Sequence, residues 1–217
     1  MSLIISIEGN IGSGKSTLVD YLKNNYVNTN KNIIYLQEPV DEWNNIKDEN
    51  NITILEKFYA NQTKYSFAFQ MMAYISRLDL LRKSIENNPN SIIITERSLF
   101  TDKYVFAQML FDSKKMEKIE YEIYNKWFNS MIDLAPLSKV IYLKTDPEIS
   151  FNRIKKRNRD GESQIPFDYI KECHEYHNNM IDILKIDKKI IDCTCNMEED
   201  NDLFKKWSLE ILDFIQH

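Results

Sequence analysis

Glycine is scarce in this chain, with four residues in 217, and three of them fall at positions 9, 12 and 14. Cysteine is scarcer still. Cys173, Cys193 and Cys195 are few and odd in number, which fits free thiols in a reducing compartment rather than a disulfide framework. Cys193-Thr194-Cys195 lacks the two-residue spacing of a metal knuckle, and His174 and His177 lie in a polar, helical stretch, so no metal site is expected from them. No apolar run approaches the ~20 residues that a membrane span needs. The N-terminus runs from Met1 straight into an apolar strand, with no charged leader or Arg-rich transit segment, so a cytoplasmic location is expected. A positive excess is also lacking. The net charge of −5 argues against a nucleic-acid polymer as main partner, while leaving room for a locally basic pocket.

What is present is ordinary globular composition, 43% hydrophobic and 28% charged, in a length that suits one α/β domain over residues 1–217. Short, β-branched, nearly uninterrupted apolar runs recur at Leu3–Ile7, Asn32–Leu36, Ser91–Thr95, Val140–Leu143 and Lys189–Asp192. Such runs mark strands buried on both faces of a parallel sheet, and the segments between them have helical length and period. The expected fold is a doubly wound five-stranded α/β sheet. Asp146-Pro147 opens a helix over Glu148–Lys156, and Pro166 opens another that extends to about Ile186. Asp41–Thr53 is polar, Asn-rich and without period, which reads as a loop; residues 156–164 read as a mobile, Arg-rich lid.

Gly9-Asn10-Ile11-Gly12-Ser13-Gly14-Lys15-Ser16-Thr17 fits G-x-x-x-x-G-K-[ST] in full, between an apolar strand and an amphipathic helix. The glycines let successive backbone N–H groups turn inward onto phosphate oxygens, at the positive end of the helix. Lys15 is expected to reach the β/γ-phosphates and the Ser16 hydroxyl to bind Mg2+. GTPases, ATPases and small-molecule kinases share this loop, so it leaves the acceptor open.

Gln37-Glu38-Pro39-Val40 follows the second strand, with Trp43 just beyond. Ligands of open α/β sheets bind past the carboxyl ends of strands, so Glu38 is placed to face the γ-phosphate and to accept the proton of an attacking hydroxyl. The blander reading is a solvated strand-end carboxylate.

Five ordered motifs narrow the field: the loop with its flanking Glu8, the Glu38-Pro39-Val40…Trp43 segment, Phe69-Gln70 with Arg77 seven residues on, Glu96-Arg97-Ser98, and Arg153…Arg157-Asn158-Arg159 followed by Ile165-Pro166. Together they closely resemble the deoxyribonucleoside kinase family, from Met1 to the final helix. The resemblance implies a P-loop kinase that moves the γ-phosphate of a nucleoside triphosphate such as ATP onto the 5′-hydroxyl of a deoxyribonucleoside, and a homodimer built on the helices around 61–87 and 102–131. By the same resemblance Glu96 shares the metal with Ser16, and Arg97 holds the acceptor oxygen and the transferring phosphoryl group. Gln70 reads the base, Phe69 and Phe106 stack on it, and Trp43 closes its pocket. Tyr59 and Glu162 bind the sugar 3′-hydroxyl, and Arg153, Arg157 and Arg159 meet the negative charge of the phosphates, a task that suits planar guanidinium donors.

Asp102 occupies the position where relatives that accept cytidine or purines carry Asp and relatives that accept thymidine carry a small residue. Paired with Arg77, it would accept a hydrogen bond from an exocyclic amino group and crowd the 5-methyl of thymine. Deoxycytidine, deoxyadenosine or deoxyguanosine is therefore expected over thymidine. Two rival readings remain. One is a thymidylate-like nucleoside monophosphate kinase, against which Glu38 argues because a phosphorylated acceptor prefers cationic surroundings. The other is a non-catalytic P-loop nucleotide-binding module, which leaves Glu38, Gln70 and the lid arginines without purpose.

Overall fold

The computed structural model describes residues 2–26, 32–157, 165–194 and 201–216. Arg159, Glu162, Cys195 and most of the lid expected over 156–164 lie outside these segments. The apolar runs become β1 (Leu3–Gly9), β2 (Ile33–Leu36), β3 (Ile92–Glu96), β4 (Leu137–Lys144) and β5 (Asp187–Asp192). They form one parallel sheet in the order β2-β3-β1-β4-β5. Alternation along β1 divides the core. Ile5 and Ile7 face α1 (Lys15–Asn25) and α10 (Asn201–Gln216), against Leu18, Phe204 and Trp207. Ile4 faces α4 (Gln62–Asn87) and α7 (Lys118–Met131), against Tyr74, Leu81 and Tyr124. On the same side α9 (Phe167–Ile183) covers β4 through Met180 and Ile181. The chain leaves β1 for β2 on one side and later crosses to β4 on the other, so the crevice at the carboxyl end of β1 is the topological switch point, where ligands bind in such sheets.

Several segments depart from the sequence reading. The Asp41–Thr53 stretch begins inside a helix, α2 (Val40–Asn45), and ends in a Lys47–Thr53 bridge. Pro39 precedes that helix, Asp41 and Glu42 occupy its first turn, and buried Trp43 anchors it by donating Nε1–H to Ser76 Oγ at 2.8 Å. After it, α3 (Ile54–Ala60) starts from a reciprocal Thr53–Glu56 capping box. The helical segment from Asp102 is also not continuous. Between α5 (Leu99–Thr101) and α6 (Gln108–Asp112), residues Asp102–Ala107 wind into a wider π-type turn. The helix opened by Pro166 stops at Ile183, because Leu184 turns extended to feed β5.

Candidate active site

The phosphate loop closes on itself before any ligand arrives. Lys15 donates from Nζ to the Asn10 carbonyl at 2.7 Å, and Asn10 donates from Nδ2 to the Ile170 carbonyl of α9 at 2.8 Å. Burial, followed by the Arg97 charge, lowers the Lys15 pKa to about 7 against the opposing pull of Glu96, Glu38 and Glu8. Gly14 caps α1 with φ 94°, and Gly12 has φ 77°. A β-carbon on Gly12 would lie 2.4 Å from the Ser150 carbonyl oxygen of α8 (Pro147–Arg157), so the loop and that helix touch backbone to backbone.

Ser16 donates from Oγ to Glu96 Oε1 at 2.9 Å. A hydroxyl and a carboxylate side by side are hard oxygen donors, and Mg2+ characteristically takes one or two protein oxygens and fills the rest with phosphate and water. These residues fit such an ion. Among the described residues no cluster of His, Cys, Asp and Glu offers a metal cage elsewhere.

Glu38 lies two residues past β2 and is held between two cations. Arg77 Nη2 donates to its Oε1 at 2.8 Å, and Arg97 Nη1 approaches its Oε2 at 3.3 Å. Burial acts to raise its pKa, but the Arg97 and Arg77 guanidiniums outweigh burial and hold the carboxyl down to about 2. Arg77 is itself clamped, with Nε on Asp102 Oδ2 at 2.9 Å and Nη1 on the Glu96 carbonyl at 2.8 Å. Burial pushes the Asp102 carboxyl up while Arg77 pulls it back. Arg97 adopts φ 63°, a left-handed backbone unusual for a non-glycine residue, and its guanidinium sits 5.2 Å from the centre of the Phe106 ring. Strain of this kind persists where surrounding structure fixes it, and it collects at functional sites. The wide turn at Asp102–Ala107 is a feature of the same sort, carrying Asp102 and Phe106 to the cleft wall.

The cleft extends from the phosphate loop into a cavity of about 230 Å³. It is lined by Lys15, Ser16, Glu38, Glu96 and Arg97 and also by Trp43, Phe69, Gln70, Asp102, Tyr59 and Phe106. Gln70 is 2% exposed, and its Oε1 has no hydrogen-bond partner among the described residues. An open acceptor in a cavity wall is an unmet demand that a ligand donor can satisfy. Phe69 stacks on Phe58 at 4.6 Å and meets Trp43 edge-on at 5.6 Å, giving the cavity an aromatic wall. Sequence reasoning missed Phe58, Ala73 and Tyr169 as lining residues, because apolar side chains at helical spacing look like core.

The two described lid arginines diverge. Arg157 lines the cleft, whereas Arg153 donates from Nη2 to the Cys193 carbonyl at 3.3 Å and is not among the cavity-lining residues. Glu8 was quoted only as a flank of the loop, yet it is fully buried and receives a hydrogen bond from Thr101 Oγ1. A charge inside an otherwise apolar strand was the available signal.

Comparison with known proteins accounts for this arrangement. The chain is 36% identical over 180 residues to a probable deoxycytidine kinase of fowlpox virus, covering 82% of this chain and 71% of that protein. It is 33% identical over 198 residues to deoxycytidine kinase 1 of Xenopus laevis, covering 82% and 73%. Human mitochondrial thymidine kinase 2 is 28% identical over 180 residues, which is 82% of this chain and 64% of that enzyme. The family profile for deoxynucleoside kinase matches residues 5–216, from the first strand through the last helix, so the chain belongs to the deoxynucleoside kinase family.

Proposed function

We propose that this chain transfers the γ-phosphate of ATP, with Mg2+, to the 5′-hydroxyl of a deoxyribonucleoside, and that it takes deoxycytidine or a purine deoxynucleoside in preference to thymidine. One observation carries the reading. One cavity is lined by the phosphate loop, by a buried amide with an open acceptor and by a carboxylate pinned by two guanidiniums. Bound between Ser16 and Glu96, the magnesium ion would neutralise charge on the β- and γ-phosphate oxygens. Lys15 holds the same phosphates, and Arg97, with Arg157 and Arg159, faces the oxygens of the transferring group. Glu38 accepts the acceptor's proton. A carboxyl held near a pKa of about 2 is a weak base toward an intact alcohol, so the proton moves late, once bonding to phosphorus has made the attacking oxygen acidic. Engagement of Arg97 by the phosphoryl group also draws one cation away from Glu38 and raises its basicity at that moment.

Gln70 meets the Watson–Crick edge of the base, Phe69 and Phe106 its faces, and Trp43 closes the pocket. Tyr59, with Glu162, takes the sugar 3′-hydroxyl. The base preference rests on Asp102, since the similar proteins include both deoxycytidine kinases and a thymidine kinase. A radiolabelled phosphate assay over the four natural deoxyribonucleosides, with the corresponding monophosphates alongside, tests the proposal. Labelled deoxycytidine or purine products above thymidine support it. Turnover of monophosphates alone would point to a monophosphate kinase, and nucleotide binding with no labelled acceptor to a binding module.

A second copy of the chain is the partner this reading favours. Ile119, Ile123 and Trp127 are exposed at four-residue spacing on α7, with Ile75 exposed on the adjoining α4. Trp127→Glu is expected to convert a dimer into a monomer in sedimentation at micromolar concentration. An unchanged sedimentation coefficient removes that face as the interface. Buried, free Cys173 fits the reducing cytoplasm as the compartment. Among the described residues, no helix is long and apolar enough to cross a membrane.

A further inference from the structure

Three buried polar atoms lack a hydrogen-bond partner among the described residues: Arg97 Nε, Glu8 Oε1 and His177 Nε2. Shared neighbours connect them. Thr101 donates to the other oxygen of Glu8 and lies 3.7 Å from the Met180 sulfur, one turn beyond His177 on α9. Tyr142, the cross-strand partner of Glu8, stacks on the His177 ring at 6.5 Å. Phe106 meets the other side of that ring edge-on at 6.1 Å and carries the Arg97 guanidinium on its own face. All three residues are at most 4% exposed.

The hydrogen-bond valences are complementary. His177 Nδ1 lies 2.6 Å from the Cys173 carbonyl, which can only accept, so Nδ1 carries the proton and Nε2 presents a lone pair. Burial and the Arg97 charge hold His177 well below its ordinary pKa, which keeps the ring neutral. Glu8 Oε1 is an acceptor and Arg97 Nε–H a donor. A single water has two protons for two acceptors and a lone pair for one donor, and three such bonds are what a buried water typically makes.

We propose that Glu8 and His177 are positioning residues that hold Arg97 through one buried water that accepts from Arg97 Nε–H and donates to Glu8 Oε1 and His177 Nε2. The inference rests on the role given to Arg97 in phosphoryl transfer. Without this tether the guanidinium is left with the Phe106 face alone to oppose its collapse onto Glu38, and the backbone of Arg97, already left-handed, is freer to relax.

Glu8→Gln keeps the volume and removes the charge. It is expected to lower kcat at least tenfold while the nucleoside KM and the ADP affinity stay within threefold. The Arg97 Nε–H resonance, protected from solvent exchange in the ¹⁵N spectrum of the wild-type enzyme, is expected to broaden or vanish. His177→Phe preserves an aromatic volume and removes the acceptor, so kcat is expected to fall several-fold with the same KM. Wild-type kcat in the folded fraction of either variant, or an unchanged Arg97 resonance in Glu8→Gln, overturns the proposal. Arg97→Lys in the same assay separates the two readings. If it is as active as wild type, the role of Arg97 falls and this inference with it; if it is slow while Glu8→Gln is not, only the inference falls.

Discussion

Glu38→Gln is expected to lower kcat by about 10²–10⁴-fold, the range that a positioned general base contributes. The amide fills the same space two residues past β2 and still accepts hydrogen bonds from Arg77 and Arg97, but it has no charge with which to take up the proton of the attacking hydroxyl. Nucleotide affinity should change little, because the proposed donor contacts are Lys15 and the loop amides. Single-turnover kinetics with an ADP titration check both statements, and turnover within fivefold of wild type excludes Glu38 as the base. The carboxyl is held down to about 2 in the free protein, so it is ionised throughout the neutral range. Its stabilising pairing with the two arginines is complete above the ordinary carboxylate pKa of about 4.5 and is lost as pH falls toward 2. The stability difference between wild type and Glu38→Gln should therefore be flat above pH 5 and shrink in acid. An acidic limb of kcat/KM near neutrality would belong to another group.

Asp102→Ala should be the most destabilising of the substitutions considered. Arg77 is 1% exposed, and Asp102 meets it at 2.9 Å through Nε and at 3.4 Å through Nη2. Arg77 keeps Glu38 at 2.8 Å and the Glu96 carbonyl at 2.8 Å, so the loss is that of one charged hydrogen-bonded partner, about 1.5–3 kcal/mol, rather than that of a wholly unpaired charge. At about 2–4 °C per kcal/mol for a chain of this size, the melting temperature should fall by roughly 3–12 °C. Replacing both partners is far less damaging than replacing one, so Arg77→Met/Asp102→Ala should recover most of that loss. The double variant is therefore the cleaner probe of specificity. It deletes the polar pair in the cavity wall without leaving Arg77 short of a carboxylate, and Glu38 keeps Arg97. Its thymidine-to-deoxycytidine turnover ratio is expected to rise at least tenfold, since a site built on paired polar groups discriminates strongly against ligands that leave them unmet. An unchanged ratio would remove Asp102 and Arg77 as determinants of base choice.

The strand order is not written in any local run of residues, but the strands are, because a strand buried on both faces needs a short unbroken β-branched segment. Ser91–Thr95 and Val140–Leu143 announce themselves in that way, although β4 starts three residues earlier than its unbroken run. The phosphate loop is legible for a related reason, since its backbone conformation depends on particular residue types at fixed positions. Glu38 is legible from its offset past β2. What could not be read depends on distant contacts. Helix α2 has no periodicity of its own and is fixed by one tryptophan reaching Ser76. The wide turn at Asp102–Ala107 and the left-handed Arg97 leave no trace in composition. Phe58 and Tyr169 are aromatic residues on helices, and only the assembled fold distinguishes a cavity wall from a core.

The contact between Gly12 and Ser150 has a mechanical consequence. The helix backbone occupies the space where a side chain of the loop would stand, so Gly12→Ala would push the loop and α8 apart. Because α8 also carries Arg157 to the cleft, such a displacement would be felt at the guanidinium as well as at the loop.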